Sequence, residues 1–202
     1  MKKIKSILFY LVATLFTIHV LYFSFFQSSI PGATEKAIPC EATFVHSMKN
    51  IDELLKSPVC GQINKKLGTE ITLAKLLKEE PWLKDFMPSE ITIANMPLHY
   101  RGQSKTWAMV SWVGWRSPWL RWKLEGKKNK HFTLLKKYHV WSVWEYKSNK
   151  IAPNSSLTFS LTDTLFIVCI SDHPSDIFSF LNSYDGLQAS IASIKTDNEK
   201  TP

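Results

Sequence analysis

Glycine is scarce in this chain, seven residues in 202, and that scarcity excludes a good deal of chemistry. A loop that cradles phosphate needs closely spaced glycines so that backbone N–H groups can approach the anion. Neither GxxxxGK[ST] nor GxGxxG occurs, and HExxH, CxxC and GxSxG are absent as well. Cysteine is equally sparse. Cys40, Cys60 and Cys169 make an odd number, which argues against a scaffold built on disulfides. Export from the cytoplasm would permit a Cys40–Cys60 bridge, but their spacing does not demand one. Cys169 lies in the apolar run LFIVCI and is expected to act as a small buried hydrophobe.

Paired ligands and paired carboxylates are missing too. His46, His99, His131, His139 and His173 are scattered singly, and none has a second metal ligand at helical or hairpin spacing. Asp52–Glu53 and Glu79–Glu80 are adjacent, so on a helix they diverge and cannot share a substrate. Asp172 and Asp176 fall at a helix entry, where a carboxylate complements the helix dipole, and His173 between them suits local hydrogen bonding. No catalytic residue, metal or cofactor is therefore expected.

What the chain does have begins at its amino terminus. MKKIKS supplies three lysines, and Ile7–Phe26 follows with 20 residues that carry no formal charge. At 1.5 Å rise per residue such a helix spans a hydrocarbon core of about 30 Å. A cleaved signal peptide would have a shorter apolar region and a small-x-small site; here Ala33 has Pro31 at its −3 position. The expectation is an uncleaved signal-anchor. Its lysine flank lies in the cytoplasm, and the rest of the chain is extracytoplasmic, on the periplasmic or cell-surface side.

The remainder reads as alternating strands and short helices. EATFVHS alternates as a strand. Asn50 caps IDELLK, Pro58 cuts it, and a helix resumes to Gly68. Thr69 or Thr72 opens LAKLLKEE, whose Leu73, Leu76 and Leu77 share a face. EITIANMPLHY and KTWAMVSWVG read as strands. SPWLRWKLEG has the punctuation of a helix, with Ser117 as N-cap, Pro118 in the first turn and Gly126 beyond the end. HFTLLKKY, VWSVWEY and the hairpin SLTFSLTDTLFIVCIS follow, the last strand apolar throughout as a central strand would be. A final helix ends near Gly186.

The expected fold is α+β: a mostly antiparallel sheet of about six or seven strands with helices packed on one face, preceded by one transmembrane helix. The expected divisions are a basic cytoplasmic start at 1–6, the span at 7–26, a linker at 27–39, the domain at 40–190 and a polar tail at 191–202.

One segment is unlike the rest. Residues 101–150 hold twelve Lys and Arg against two Glu, a net +10 in a chain whose total is +8. The same segment contains SWVGWRSPWLRW, with tryptophans at 112, 115, 119 and 122. Gly114 and Ser117-Pro118 break this stretch, so only Trp119 and Trp122, at i and i+3, must share a helical face. Trp141 and Trp144 differ by three on a strand and point to opposite sides, one expected inside and one outside.

Large indoles at regular spacing usually fill a core. Indoles beside cations also suit a membrane interface or an anionic ligand held by stacking. The candidate binding patch is Trp115, Arg116, Trp119, Arg121, Trp122 and Lys123. Its expected partners are membrane lipids, reached first through the amino-terminal helix, and an anionic envelope component or a partner protein. Nucleic acid is not expected of an exported domain, although basic-aromatic surfaces can bind single strands. The functional expectation is a membrane-anchored, non-catalytic interaction or accessory module. The alternative is an anchored envelope hydrolase whose active site is assembled from distant residues.

Overall fold

The computed structural model describes residues 2–26, 33–68, 72–87, 90–97, 105–126, 132–148, 151 and 154–193, without the side chains of 2–5, 8, 21–26, 85, 105, 115, 123 and 126. The domain is built on one sheet of seven strands, every neighbouring pair antiparallel. The strands are β1 (Phe44–Met48), β2 (Ile91–Pro97), β3 (Lys105–Trp112), β4 (Phe132–Tyr138), β5 (Trp141–Tyr146), β6 (Ser156–Leu161) and β7 (Leu165–Ser171), in the order β1-β2-β3-β7-β6-β5-β4. Two meanders thus meet where β3 pairs with β7, Trp107 opposite Ile170 and Trp112 opposite Leu165. β7 is central, and its LFIVCIS is buried along its whole length, as its unbroken apolar run predicts.

The helices are α1 (Lys2–Phe26), α2 (Ile51–Lys56), α3 (Pro58–Leu67), α4 (Leu73–Glu79), α5 (Ser117–Gly126) and α6 (Ile177–Tyr184). Local chemistry sets the boundaries among α2–α4. Asn50 accepts the Glu53 N–H to start α2, Ser57 accepts from Cys60 to start α3 with Pro58 in its first turn, and Thr72 accepts from Lys75 to start α4. Leu73, Leu76 and Leu77 are buried as one stripe.

The helices cover both faces of the sheet, not one. α2–α4 and the 3₁₀ turn Pro81–Phe86 pack with α5 on the face carrying Ile93, Met109, Phe159 and Val168. α6 and the 3₁₀ turn Thr34–Ala37 cover the opposite face, with Ala108, Val110, Ile167 and Cys169. The reason lies in β6. Its outward-reading residues Ser156, Thr158 and Ser160 are small and polar, which suggests a wet face, yet they are buried. Ser160 satisfies its hydroxyl on the Ser142 carbonyl at 2.9 Å. Two-sided cover also corrects the expectation for Trp141 and Trp144. They point to opposite faces, and both are 6% exposed.

Residues 33–39, expected as linker, are part of the fold. Ala33, Ala37 and Ile38 are buried, Thr34 hydrogen-bonds Thr92 at 2.7 Å, and Pro39 bridges Ser190. Of the expected tail, Ile191 packs on the α6 side, while 194–202 lie outside the described residues. Cys40, Cys60 and Cys169 are free thiols. Cys60 sits in the α2–α4 layer, and Cys40 follows the Pro39–Ser190 bridge.

α1 is a 25-residue helix. Its described side chains, 6–7 and 9–20, are all exposed. Among the described residues no helix is long and apolar enough to cross a membrane.

Candidate interaction surface

The surface is assembled at the end of the sheet where β3 stops. That end also holds Ile91, Leu165, Leu161 and Trp141, as the strand registers require. After Trp112 the chain turns sharply. The N–H groups of Val113 and Gly114 both donate to the Thr164 carbonyl, at 2.8 and 3.0 Å. Gly114 has φ +55°, and a Cβ there would sit 3.0 Å from Trp112 Nε1. Only glycine meets both demands without strain. A single 3₁₀ turn, Gly114–Arg116, leads straight into α5.

Ser117 does not cap α5. Its backbone is already helical, and its hydroxyl donates to the Thr162 carbonyl, stapling the first turn of α5 to the β6–β7 turn. Leu120 and Leu124, one turn apart, are buried against the sheet. They fix the rotation of the helix, and residues 119 and 122 then face outward. Trp119 is 46% exposed and Trp122 71%.

Arg121 takes an intermediate position. Its guanidinium donates to the Leu161 carbonyl at 3.4 Å and lies 5.9 Å over the Trp141 ring. Trp141 in turn donates through Nε1 to Asp185 at 2.9 Å. The cation is therefore spent partly on closing the sheet end, a contact that stacking on an indole strengthens. Arg116 is half-buried. The side chains of Trp115 and Lys123 lie outside the described residues; their backbones belong to the 3₁₀ turn and to α5. So the structure gathers the six expected residues on one turn and one helix, and two of them, Trp119 and Trp122, present described indoles to solvent.

Sequence reasoning missed a neighbouring feature. An open groove of about 430 Å³ runs between the end of α5 and the edge strand β4, lined by Leu124, Glu125, Phe132, Leu134, Lys137, Ser142 and Trp144. It exists because the register of β4 against β5 shifts between Leu134 and Lys136. That bulge places Leu134 and Lys137 on the same side, which strict alternation forbids. The available signal was the doubled pattern LLKK in a strand. The bulge and its lysines also blunt β4 as an edge.

Elsewhere the titratable groups have local tasks. His173 Nδ1 accepts the Ser175 N–H at 3.4 Å and lies 2.6 Å from the Ser175 hydroxyl, which opens the 3₁₀ turn Pro174–Asp176. Burial pushes the Asp176 carboxyl above the usual range, and hydroxyls of Ser171 and Thr106 partly offset this, Thr106 at 3.3 Å. Burial also raises the Cys169 thiol strongly, consistent with a small core side chain rather than a nucleophile. Among the described residues no three His, Cys, Asp or Glu side chains lie together as a metal site. No family model matches the chain, nor does any curated protein or solved structure.

Proposed function

We propose that this protein is a single-pass, membrane-anchored module whose α+β domain lies outside the cytoplasm and acts by binding, through the surface around α5. The observation that carries the reading is the state of α1. Between Ile7 and Val20, nine large apolar side chains are 44–69% exposed, and their positions run all the way round the helix. Apolar side chains exposed on every side of a helix, as those described over 7–20 are, belong in an apolar solvent. The three lysines at its amino-terminal end favour a cytoplasmic amino terminus.

The binding role follows from what surrounds α5. A glycine-dependent turn, a stapled first turn and two buried leucines hold two indoles outward in a segment of net charge +10. Exposed tryptophan beside cations is a surface chemistry suited to recognition. Alkaline carbonate treatment of membranes containing the full chain is expected to leave it in the pellet. A reporter fused after Pro202 is expected to be active outside the cytoplasm and silent within. Release of the chain by carbonate, or cytoplasmic reporter activity, would overturn the reading.

A further inference from the structure

We infer that the domain lies with the Trp112 end of its sheet against the same bilayer that holds α1, and that Trp119 and Trp122 seat in the headgroup region of that bilayer. This rests on the anchored reading above and adds an orientation and a lipid contact to it.

Two independent observations place that end of the sheet beside the anchor. The first is reach. Thr34 is buried and bonded to Thr92, the second residue of β2, at the end where Ile91 and Ser111 pair. Seven chain steps separate Phe26, the last residue of α1, from Ala33, so they cannot be more than about 25 Å apart. The domain is thus tethered by its Trp112 end. The second is contact: Cα atoms of α1 lie within 8 Å of the Gly114–Arg116 turn. That turn leads directly into α5, the helix that carries the outward indoles.

The side chains at this end fit an interface. Trp122 is 71% exposed, Trp119 46%, and Val140, at the tip of the β4–β5 hairpin, 74%. An indole has an apolar body and one N–H donor, which is why tryptophan concentrates where hydrocarbon meets headgroups. Arg116 and Arg121 flank the pair, and Lys123, Lys127, Lys128 and Lys130 follow in the chain. Among the described residues Asp163 on the β6–β7 turn, Glu125 on α5, Glu90 before β2 and Asp185 beside Trp141 also lie at this end. The indoles carry the contact, and the sequence segment 101–150, net +10, complements anionic headgroups. The other end of the sheet, with Lys66 paired to Asp172, faces away.

α1 contains no tryptophan, so indole fluorescence reports the domain alone and makes the test direct. The full chain is reconstituted into vesicles of mixed zwitterionic and anionic lipid, with acyl chains either plain or brominated near the headgroup. The expected result is clear quenching in brominated vesicles. A Trp119→Phe, Trp122→Phe double variant with unchanged circular dichroism should lose at least half of that quenching. A chain that sediments with the vesicles but is not quenched would overturn this inference while leaving the anchor standing. So would equal quenching of variant and parent. Protection that grows with the protein-to-lipid ratio would assign the face to a second copy of the chain instead. A chain that fails to sediment would overturn the anchor and this orientation together.

Discussion

Seven of the eight tryptophans have described side chains, and they divide into two groups. Trp82, Trp107, Trp112, Trp141 and Trp144 are 6–7% exposed; Trp119 and Trp122 are 46% and 71%. Nothing in their immediate sequence separates the groups, since both include pairs three apart beside polar residues. The element decides. On β5, a spacing of three sends Trp141 and Trp144 to opposite faces, and both faces are roofed. On α5, the same spacing keeps Trp119 and Trp122 together, and Leu120 and Leu124 take the inward side. One pattern therefore yields two core residues in one place and a surface pair in another. Buried indoles hold this domain together; the exposed pair faces solvent.

The largest expected difference between the groups is in stability. Trp82 meets Phe86 and Phe132 edge-on at about 5 Å and donates to Glu80 at 2.6 Å. Trp82→Ala should cost about 3–5 kcal/mol, whereas Trp122→Ala should stay within about 0.5 kcal/mol. Urea unfolding of the detergent-solubilised chain, followed by far-ultraviolet circular dichroism, measures both. Similar losses for the two variants would erase the distinction.

Gly114 sharpens the comparison at an intermediate scale, because it sets where the core indole Trp112 stops and the exposed helix begins. Gly114→Ala forces a side chain into a left-handed backbone and against Trp112, at an expected cost of about 1–2 kcal/mol. The same unfolding experiment reads it, and an unchanged midpoint would contradict the role given to this turn.

The smallest effect extends the contrast from apolar burial to charge. Asp176 is buried, and its carboxyl is raised, so the folded state holds that proton more tightly than the unfolded chain. Stability from this group is then fullest below the ordinary carboxylate range, near pH 4, and declines as pH rises towards the folded value. Asp176→Asn should flatten that part of the stability–pH curve. A variant with the parent's slope would assign the slope to other groups.

Much of the fold was legible residue by residue. Asn50, Ser57-Pro58 and Thr72 mark three helix starts by side-chain acceptors that the sequence displays. The apolar run of β7 announced a strand covered on both sides. The second helical layer stayed hidden because buried Thr158 and Ser160 look like a solvent face, and the acceptor that lets the Ser160 hydroxyl be buried, the Ser142 carbonyl, comes from a neighbouring strand. The fold's entry at 33–39 was too short to show a period. At the candidate site, the shared face of Trp119 and Trp122 followed from their spacing, but its outward direction did not, since it is set by Leu120 and Leu124 packing on the sheet. The inward engagement of Arg121 did not, since it needs Leu161 and Trp141 from two distant strands. Nor did the groove, since LLKK hints at a broken alternation but the strand pairing fixes where the register shifts.

Burial and exposure divide the indoles, and the orientation proposed above sets the exposed pair in lipid. Fluorine NMR of the full chain labelled with 5-fluorotryptophan, in vesicles carrying a paramagnetic headgroup, tests both at once, with single Trp→Phe variants giving the assignments. Strong broadening of the Trp119 and Trp122 resonances is expected, with sharp lines from Trp82, Trp107, Trp112, Trp141 and Trp144. Sharp lines from Trp119 and Trp122, or broadening spread evenly over all seven, would contradict it.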